Sequence, residues 1–401
     1  MNNVNNFHTF SNLIAVHHLK NLEEEVPFFR LPREMMVNIL SHIPYQHLIT
    51  SVSLVCKKFH QIIAEDHYLL TDLEINISSF SPKFEEQSFK ITKVLNSAKN
   101  LRYLTIHVNN HLCGMLEAVG KQCKQLRGLK ILYSTGNFIS LRQKEECSSH
   151  LISIAENCKY LKDLRLLINC SFYTKDLIKQ MLVLRQNTLT ALEIDSFELN
   201  SEIFRHVSTC HRLEELKLPK FERLKGPCFL ILSKKLSSIK ILELCVRKLS
   251  DEYLAQGLEK CVSLEQLTLH QANRLSKNGI NTVTNLTTLK KLHINIRSRG
   301  LIKAGDFKDA FTNGRLYNLE HLELTGYIDL GDHELIGIIH KYPNLRSVVL
   351  DGCNNVTLTC FRYLYNNYKY LRHLKINGHS VPKSITRLRN LKLSDKRNSS
   401  A

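Results

Sequence analysis

The chain has 401 residues, 43% hydrophobic and 23% charged, which is enough apolar material for an extended core and excludes a disordered polymer. It carries 55 Lys and Arg against 37 Asp and Glu, for a formal net charge of +18. No stretch has the roughly 18 uninterrupted apolar residues of a membrane span, and the N-terminus lacks the zones of a secretory signal, so a cytoplasmic or nuclear protein is expected, with no membrane partner.

Residues 1–27 form a polar, Asn-rich lead, expected to be flexible. The first strong pattern is Leu31-Pro32-Arg33-Glu34-Met35-Met36-Val37-Asn38-Ile39-Leu40-Ser41-His42-Ile43-Pro44. Pro32 suits the first helical position, and Glu34 suits the positive end of the helix dipole. Leu31, Met35, Ile39 and Ile43 recur at i+4 with Met36 and Leu40 beside them, a helical stripe. Pro44 ends that helix and can start another, along which Leu48, Val52, Val55, Phe59 and Ile62 keep helical spacing. Two or three helices in about forty residues bury too little surface to stand alone, so this hook leans on a neighbour or a partner. Periodicity by itself is equally met by a cap over a following repeat.

In order and spacing, residues 28–70 resemble an F-box: L-P-x-E opens the first helix, Ile39-Leu40-Ser41 falls near its end, then come Leu48 and Ser53-Leu54-Val55-Cys56-Lys57-Lys58-Phe59. The resemblance implies a helical hook for a Skp-family adaptor, and through it a cullin scaffold and a RING subunit. It assigns the adaptor-facing or hook-forming surface to Leu31, Pro32, Ile39, Leu40, Leu48, Val55, Cys56 and Phe59, with Glu34 at its edge. Phe59 stands where many F-boxes have Trp, and this chain has no Trp.

Beyond the hook the pattern L-x-x-L-x-[L/I/V] repeats from Leu101, Leu126, Leu161, Leu189, Leu213, Ile239, Leu264, Leu289, Leu319, Leu345 and Leu371, with weaker copies at Leu70 and Leu388. The spacing is that of leucine-rich repeats. Side chains alternate along a strand, so the fourth and sixth residues, such as Leu267 and Leu269, point into a core while Thr268 faces the open side. A short helix follows each strand: Ser250 is placed to cap one whose apolar face is Leu254, Leu258 and Cys261. Cys123, Cys158, Cys210 and Cys261 each precede a repeat by three residues and end such a face, which reads as buried structural thiol. All twelve cysteines are expected to be reduced, and the absence of any C-x-x-C pair speaks against a zinc-built RING within the chain.

The repeats over about residues 70–395 resemble the cysteine-containing subclass of leucine-rich repeats. At the eighth position Asn109, Asn169 and Cys353 fit that subclass, whereas Phe197, Arg247, Arg297 and Tyr327 depart from it, so irregular turns are expected there. The fold expected is an α/β leucine-rich-repeat solenoid, parallel strands inside and helices outside, preceded by a small all-α F-box. Its divisions are lead 1–27, hook 28–70, solenoid 71–395 and disordered tail 396–401.

The positive charge belongs to the repeats, since residues 1–70 hold as many acids as bases to within one. On the concave positions, the third, fifth and seventh of each copy, Lys130, Arg165, Lys217, Lys291, Lys375 and Lys392 are outnumbered by Asp72, Glu74, Asp163, Glu193, Asp195, Glu215, Glu243, Glu323 and Asp351. That floor is not a basic groove, which argues against nucleic acid. The second position holds Arg102, Arg127, Lys162, Lys240, Lys290, Arg346, Arg372 and Arg389 against Glu214, Glu265 and Glu320. Stacking would align these at the rim, where an acidic or phosphorylated target would bind; Arg102, Arg127, Lys162, Lys240, Lys290, Arg346 and Arg372 are the target-binding candidates. Ordinary solvation accounts equally for a charge at that position.

His107, His270, His293, His321 and His373 fall on concave positions, where polar contacts explain them and a pH-sensitive surface is the sharper reading. The basic residues Arg387, Arg389, Lys392, Lys396 and Arg397 read as a last repeat trailing into a solvated terminus, or as a nuclear-localisation patch. No phosphate-cradling glycine loop, zinc-protease motif or nucleophile elbow is present, so no enzyme activity, cofactor or metal is expected. A non-catalytic substrate receptor of a ubiquitin ligase, holding an unidentified protein target for proteasomal degradation, fits both halves. A leucine-rich scaffold or inhibitor without a ubiquitin role fits the repeats alone.

Overall fold

Every copy of the pattern from Leu70 to Leu371 becomes a strand beginning two residues after the first leucine, in a computed structural model of the chain. The structure describes residues 31–43, 48, 52, 55–65, 69–76, 84–108, 112–133, 141–167, 175–195, 202–234, 236–296, 301–368, 370–377 and 379–380. The copy at Leu388 and the basic tail lie outside these. The chain divides into two compact units, Met1–Leu161 and Lys162–Ala401.

The first unit opens with helices α1 (Arg33–Leu40) and α2 (Lys57–Glu65). It continues as β1 (Asp72–Asn76), α3 (Phe84–Ser97), β2 (Tyr103–Val108), α4 (Leu112–Gln122), β3 (Gly128–Tyr133) and α5 (Leu141–Asn157). The three strands pair in parallel and in chain order, with Leu73, Leu104 and Leu129 in register.

The second unit alternates β4 (Asp163–Leu167), α6 (Lys175–Arg185), β5 (Ala191–Ile194), α7 (Ile203–Val207), β6 (Glu215–Leu218), α8 (Gly226–Ser233), β7 (Ile241–Cys245), α9 (Asp251–Leu258) and β8 (Gln266–His270). It goes on through α10 (Lys277–Thr284), β9 (Lys291–Asn295), α11 (Ala304–Asn313), β10 (His321–Thr325), α12 (Asp332–Lys341), β11 (Ser347–Asp351), α13 (Leu358–Asn367) and β12 (His373–Ile376). Leu164, Leu192, Leu216, Leu242, Leu267, Leu292, Leu322, Val348 and Leu374 stack in one parallel register. A two-residue strand, β13 (His379–Ser380), turns back antiparallel against Lys375 and Ile376, which the repeat pattern did not suggest. Among the described residues no helix is long and apolar enough to cross a membrane.

The alternation works as the pattern demands. Leu267 and Leu269 are almost wholly buried while Gln266, Thr268 and His270 between them are half-exposed. Truncating such a leucine to Ala costs about 2–5 kcal/mol, so the inward face holds each repeat. The helix-end cysteines are all buried, and their thiols find carbonyls: Cys158 donates to Cys123 O of the preceding repeat at 3.3 Å, and Cys261 to Gly257 O at 3.8 Å. Ser250 takes the N-cap position of α9 but its side chain makes no cap bond. Instead the Asp251 carboxylate accepts the backbone N–H of Ser276, the N-cap of the next helix, and Asp332 does the same for Thr357 N–H at 2.7 Å. At the irregular eighth position Tyr327 is buried on Phe307, ring centroids 4.8 Å apart, and its hydroxyl donates to Ile302 O at 3.0 Å.

Two cysteines depart from the expectation of free thiols. Cys113 on α4 and Cys147 on α5 form a disulfide across 34 residues, their Cα atoms 4.8 Å apart. Sequence spacing conceals this pair, because only the packing of α4 against α5 brings the two positions together.

Helix packing in the second unit sets a test with opposite signs. A Cβ on Gly257 of α9 meets the Phe229 ring of α8 at 2.1 Å, whereas a Cβ on Gly305 of α11 meets nothing within 4 Å. Gly257→Ala is therefore expected to lower the urea midpoint, by the equivalent of about 1–3 kcal/mol. Gly305→Ala is expected to raise it by roughly 0.4–1 kcal/mol through helix propensity and a less free unfolded chain.

Candidate adaptor-binding and target-binding surfaces

The hook starts where the chain leaves Pro32. Its carbonyl accepts the N–H groups of Met35 and Met36, both at 3.1 Å, and the helix proper begins at Arg33, one residue later than proline's usual place. Glu34 lies in the first turn, beside the positive end of the dipole. The stripe then splits by face. Met36 and Leu40 turn inward and join Leu48, Ile62, Ile63 and Leu69 in a small core, with Leu31, Val37, Ile43, Val52 and Phe59 packed at its edge. Met35 and Ile39, one turn apart on the other face, are 52% and 42% exposed.

The second helical stretch is shorter than its spacing suggests. Val55 lies in a turn, 56% exposed, and α2 begins only at Lys57. The Cys56 sulfur accepts the Phe59 N–H at 3.4 Å, taking up a donor that the helix start would otherwise leave open.

The repeats present their polar residues in rows. Along the second position of the second unit the backbone links Lys162 to Thr190, Glu214, Lys240, Glu265, Lys290, Glu320, Arg346 and Arg372, each N–H donating to the preceding carbonyl. Charges alternate along this row. Lys240 pairs with Glu214 at 2.8 Å, Lys290 with Glu265 at 2.9 Å, and Arg346 with Glu320 at 3.3 Å.

Inward of this row, the third and fifth positions over β4 to β6 form a charge network. Arg165 pairs with Asp163 at 2.9 Å, Glu193 at 3.3 Å and Glu215 at 3.0 Å, and Lys217 adds a second cation to Glu215 at 2.8 Å. Burial works against the Arg165 charge, but the Asp163 hydrogen bond and the surrounding carboxylates outweigh it and raise the guanidinium above its ordinary value. For Glu215, burial is likewise overcome, by the Lys217 hydrogen bond and the Arg165 charge, so its carboxyl lies low.

Over β8 to β11 the floor changes character. A pocket of about 260 Å³ opens there, lined by Thr268, Lys291, His293, His321, Glu323 and Ser347 among others. His270 holds Glu243 at 2.6 Å, and the His270 and His293 rings lie 6.0 Å apart edge to face.

Residues 28–75 match the F-box-like family model. No curated protein matches the sequence. Among solved structures, a chain of the yeast Rad7 and Elc1 complex is similar with a TM-score of 0.55 and 15% identity, over 81% of this chain and 89% of that one. The leucine-rich-repeat protein LegL7 from Legionella pneumophila is similar with a TM-score of 0.45 and 12% identity, over 74% of this chain and 98% of that one. The first likeness is one of fold.

Within the F-box-like segment the residues that the resemblance singled out separate into two sets. Leu40 and Leu48 are core, Leu31, Cys56 and Phe59 are half-buried, and Pro32, Glu34, Ile39 and Val55 face outward. Ser53 and Leu54 lie outside the described residues. Met35, unmarked by the motif, joins the outward set through its i+4 relation to Ile39. The seven rim cations are all exposed and lie in rows, Arg102 and Arg127 in the first unit and the rest in the second. The row in the second unit is not uniformly basic, because the repeats between hold glutamates.

The cysteines give this arrangement a chemical readout. Burial pushes the Cys123, Cys261 and Cys360 thiols up to about 12, while Cys56 in the F-box-like segment is only partly covered. At pH 8 iodoacetamide is expected to modify Cys56 within minutes, and Cys123, Cys261 and Cys360 only after denaturant is added; peptide mass mapping over time measures this.

Proposed function

We propose that this chain is the substrate-recognition subunit of a Skp-cullin-F-box ubiquitin ligase. The observation that carries the proposal is the F-box-like match at residues 28–75 coinciding with Met35, Ile39 and Val55, exposed apolar side chains beside a hook core that is already closed. A hook with its own core has no folding need for these three at the surface, and a partner's apolar surface supplies the reason. That partner is a Skp-family adaptor, bound through Met35, Ile39 and Val55, with Leu31, Pro32 and Glu34 at the edge. Leu40, Leu48, Cys56 and Phe59 shape the hook from within.

Through the adaptor come a cullin and a RING subunit, while the repeats hold a protein target in the cytoplasm or nucleus. The chemistry is proximity: a conjugating enzyme elsewhere in the complex transfers ubiquitin to a lysine of the held target, and this chain contributes position rather than a reacting group. The similar chain of the yeast complex was crystallised with a partner, as this reading requires here.

Co-purification of the full chain with a Skp-family adaptor tests the proposal. Ile39→Asp and Val55→Asp each place a charge on an exposed position, leave the hook core untouched, and are expected to weaken capture by about thirtyfold or more with an unchanged melting curve. Undiminished capture by both variants, or no capture by a folded wild-type chain, leaves the leucine-rich scaffold as the reading.

A further inference from the structure

The alternating rim row does not run to its end. After Glu320 and Arg346 the next repeat brings Arg372 rather than an acid, so two arginines follow one another. The adjoining row on the concave side, at the third position of β9 to β12, reads Lys291, His321, Ser347 and His373. It contains donors and no carboxylate. With strands about 4.8 Å apart, this row spans roughly 15 Å.

Of the neighbouring acids one is held in an ion pair, and the other, Glu323, itself lines the pocket. Glu320 pairs with Arg346, and Glu323 lies 3.8 Å from His293, whose ring also meets the Thr325 hydroxyl at 3.1 Å. The Ser347 hydroxyl lies 3.3 Å from His373 Nδ1. The pocket of about 260 Å³ opens between Lys291, His321 and Ser347. His321 reports the local field: burial disfavours its protonation first and Lys291 next, Glu320 opposes them, and Arg346 and His373 add smaller effects against protonation.

We infer that the corner formed by Lys291, His321, Arg346, Arg372 and His373 binds a short anionic segment of the target protein, its carboxylates or a phosphate seated between Lys291 and His321. This deepens the substrate-receptor reading and rests on it. Length selects a protein segment over a nucleic acid. The cationic run accommodates about four or five extended residues at roughly 3.3 Å each, and further along the same floor Arg165, Lys217 and His270 are matched by Asp163, Glu193, Glu215 and Glu243, so the cationic run does not extend to meet a longer polyanion.

Anion binding stabilises protonated His321. The groups around that ring are Lys291 and His293 from β9, Glu320 just before its own strand and Glu323 on it, Arg346 just before β11 and His373 from β12. Affinity therefore rises as pH falls and weakens as pH rises through the range in which His321 loses its proton.

The full chain, co-expressed with the adaptor, is titrated by fluorescence anisotropy against three labelled probes. These are an octapeptide of Glu and Gly, an octapeptide of Gly and Ser with one phosphoserine, and an eight-nucleotide thymidine oligonucleotide. Lys291→Glu with Arg372→Glu is expected to weaken a peptide probe by about tenfold or more. The charge-matched pair Lys124→Glu with Lys159→Glu, on exposed positions of the first unit, is expected to weaken it by less than about twofold. Which peptide responds separates carboxylate from phosphate. Because His321 protonates below the ordinary histidine range, His321→Gln flattens the tightening between pH 7 and pH 5.

Equal losses in the two double variants overturn the proposal, because net charge alone then explains binding. A thymidine probe that binds more tightly than either peptide and loses affinity in the corner variant overturns the assignment to a protein segment. If charge reversal disturbs the stack, Lys291→Ala with Arg372→Ala gives the same ordering. Adaptor capture is measured on the same samples, and its retention separates failure at this corner from failure of the hook.

Discussion

The stacking of aliphatic side chains at the fourth and sixth positions of successive repeats is the interaction from which the remainder follows. Shifting β8 by one residue against β7 would turn Leu267 and Leu269 outward while Leu242 stayed inside, so burial fixes the register as well as the strands. Once the register is fixed, every position of the pattern becomes a row. The second, third and fifth positions are then surfaces rather than scattered residues, and a single substitution acts within a line of neighbours about 4.8 Å apart. The charge network of Arg165, Glu193 and Glu215 joins two such lines, Arg165 and Glu193 in the fifth-position row and Glu215 in the third-position row, across three successive repeats.

The hook obeys a different constraint. Its core draws on Met36, Leu40, Leu48, Ile62, Ile63 and Leu69, a small set beside the long inward face of the repeats. Small cores leave little margin, and this one keeps Met35, Ile39 and Val55 out of it. The repeats keep the aliphatic residues of their strands inside and display charge along the strand rows, although Phe89, Val262 and Leu301 lie exposed elsewhere on them.

Most of the architecture was legible because it is periodic. A copy recurring every few tens of residues predicts a strand at each position, and all copies within the described residues form one. The helix-end cysteines were legible for the same reason. What was hidden depends on context that a period does not carry. The Cys113–Cys147 disulfide joins two helices through their packing. The second hook helix broke at Cys56 although the apolar spacing continued through it. The rim row's totals favour Lys and Arg, as the sequence counts them, but its order, Glu214, Lys240, Glu265, Lys290, Glu320, Arg346, makes pairs that a total does not reveal. The resemblance to an F-box marked Leu40 and Leu48 alongside Ile39 and Val55, and only burial separates those that build the hook from those that face a partner.

The short strand β13 bears on how the stack ends. A parallel sheet can add strands at an open edge indefinitely, and unpaired N–H and C=O groups there invite another chain. By folding back antiparallel over Lys375 and Ile376, His379 and Ser380 occupy the hydrogen-bonding groups that a further parallel strand would need. Asn377, with φ at +46° and its side chain bonded to both N–H and C=O of Cys353, makes that reversal. Along Lys375 and Ile376 the outer edge of β12 is thus already paired, and a chain approaching this side of the described rows meets backbone whose bonds are taken.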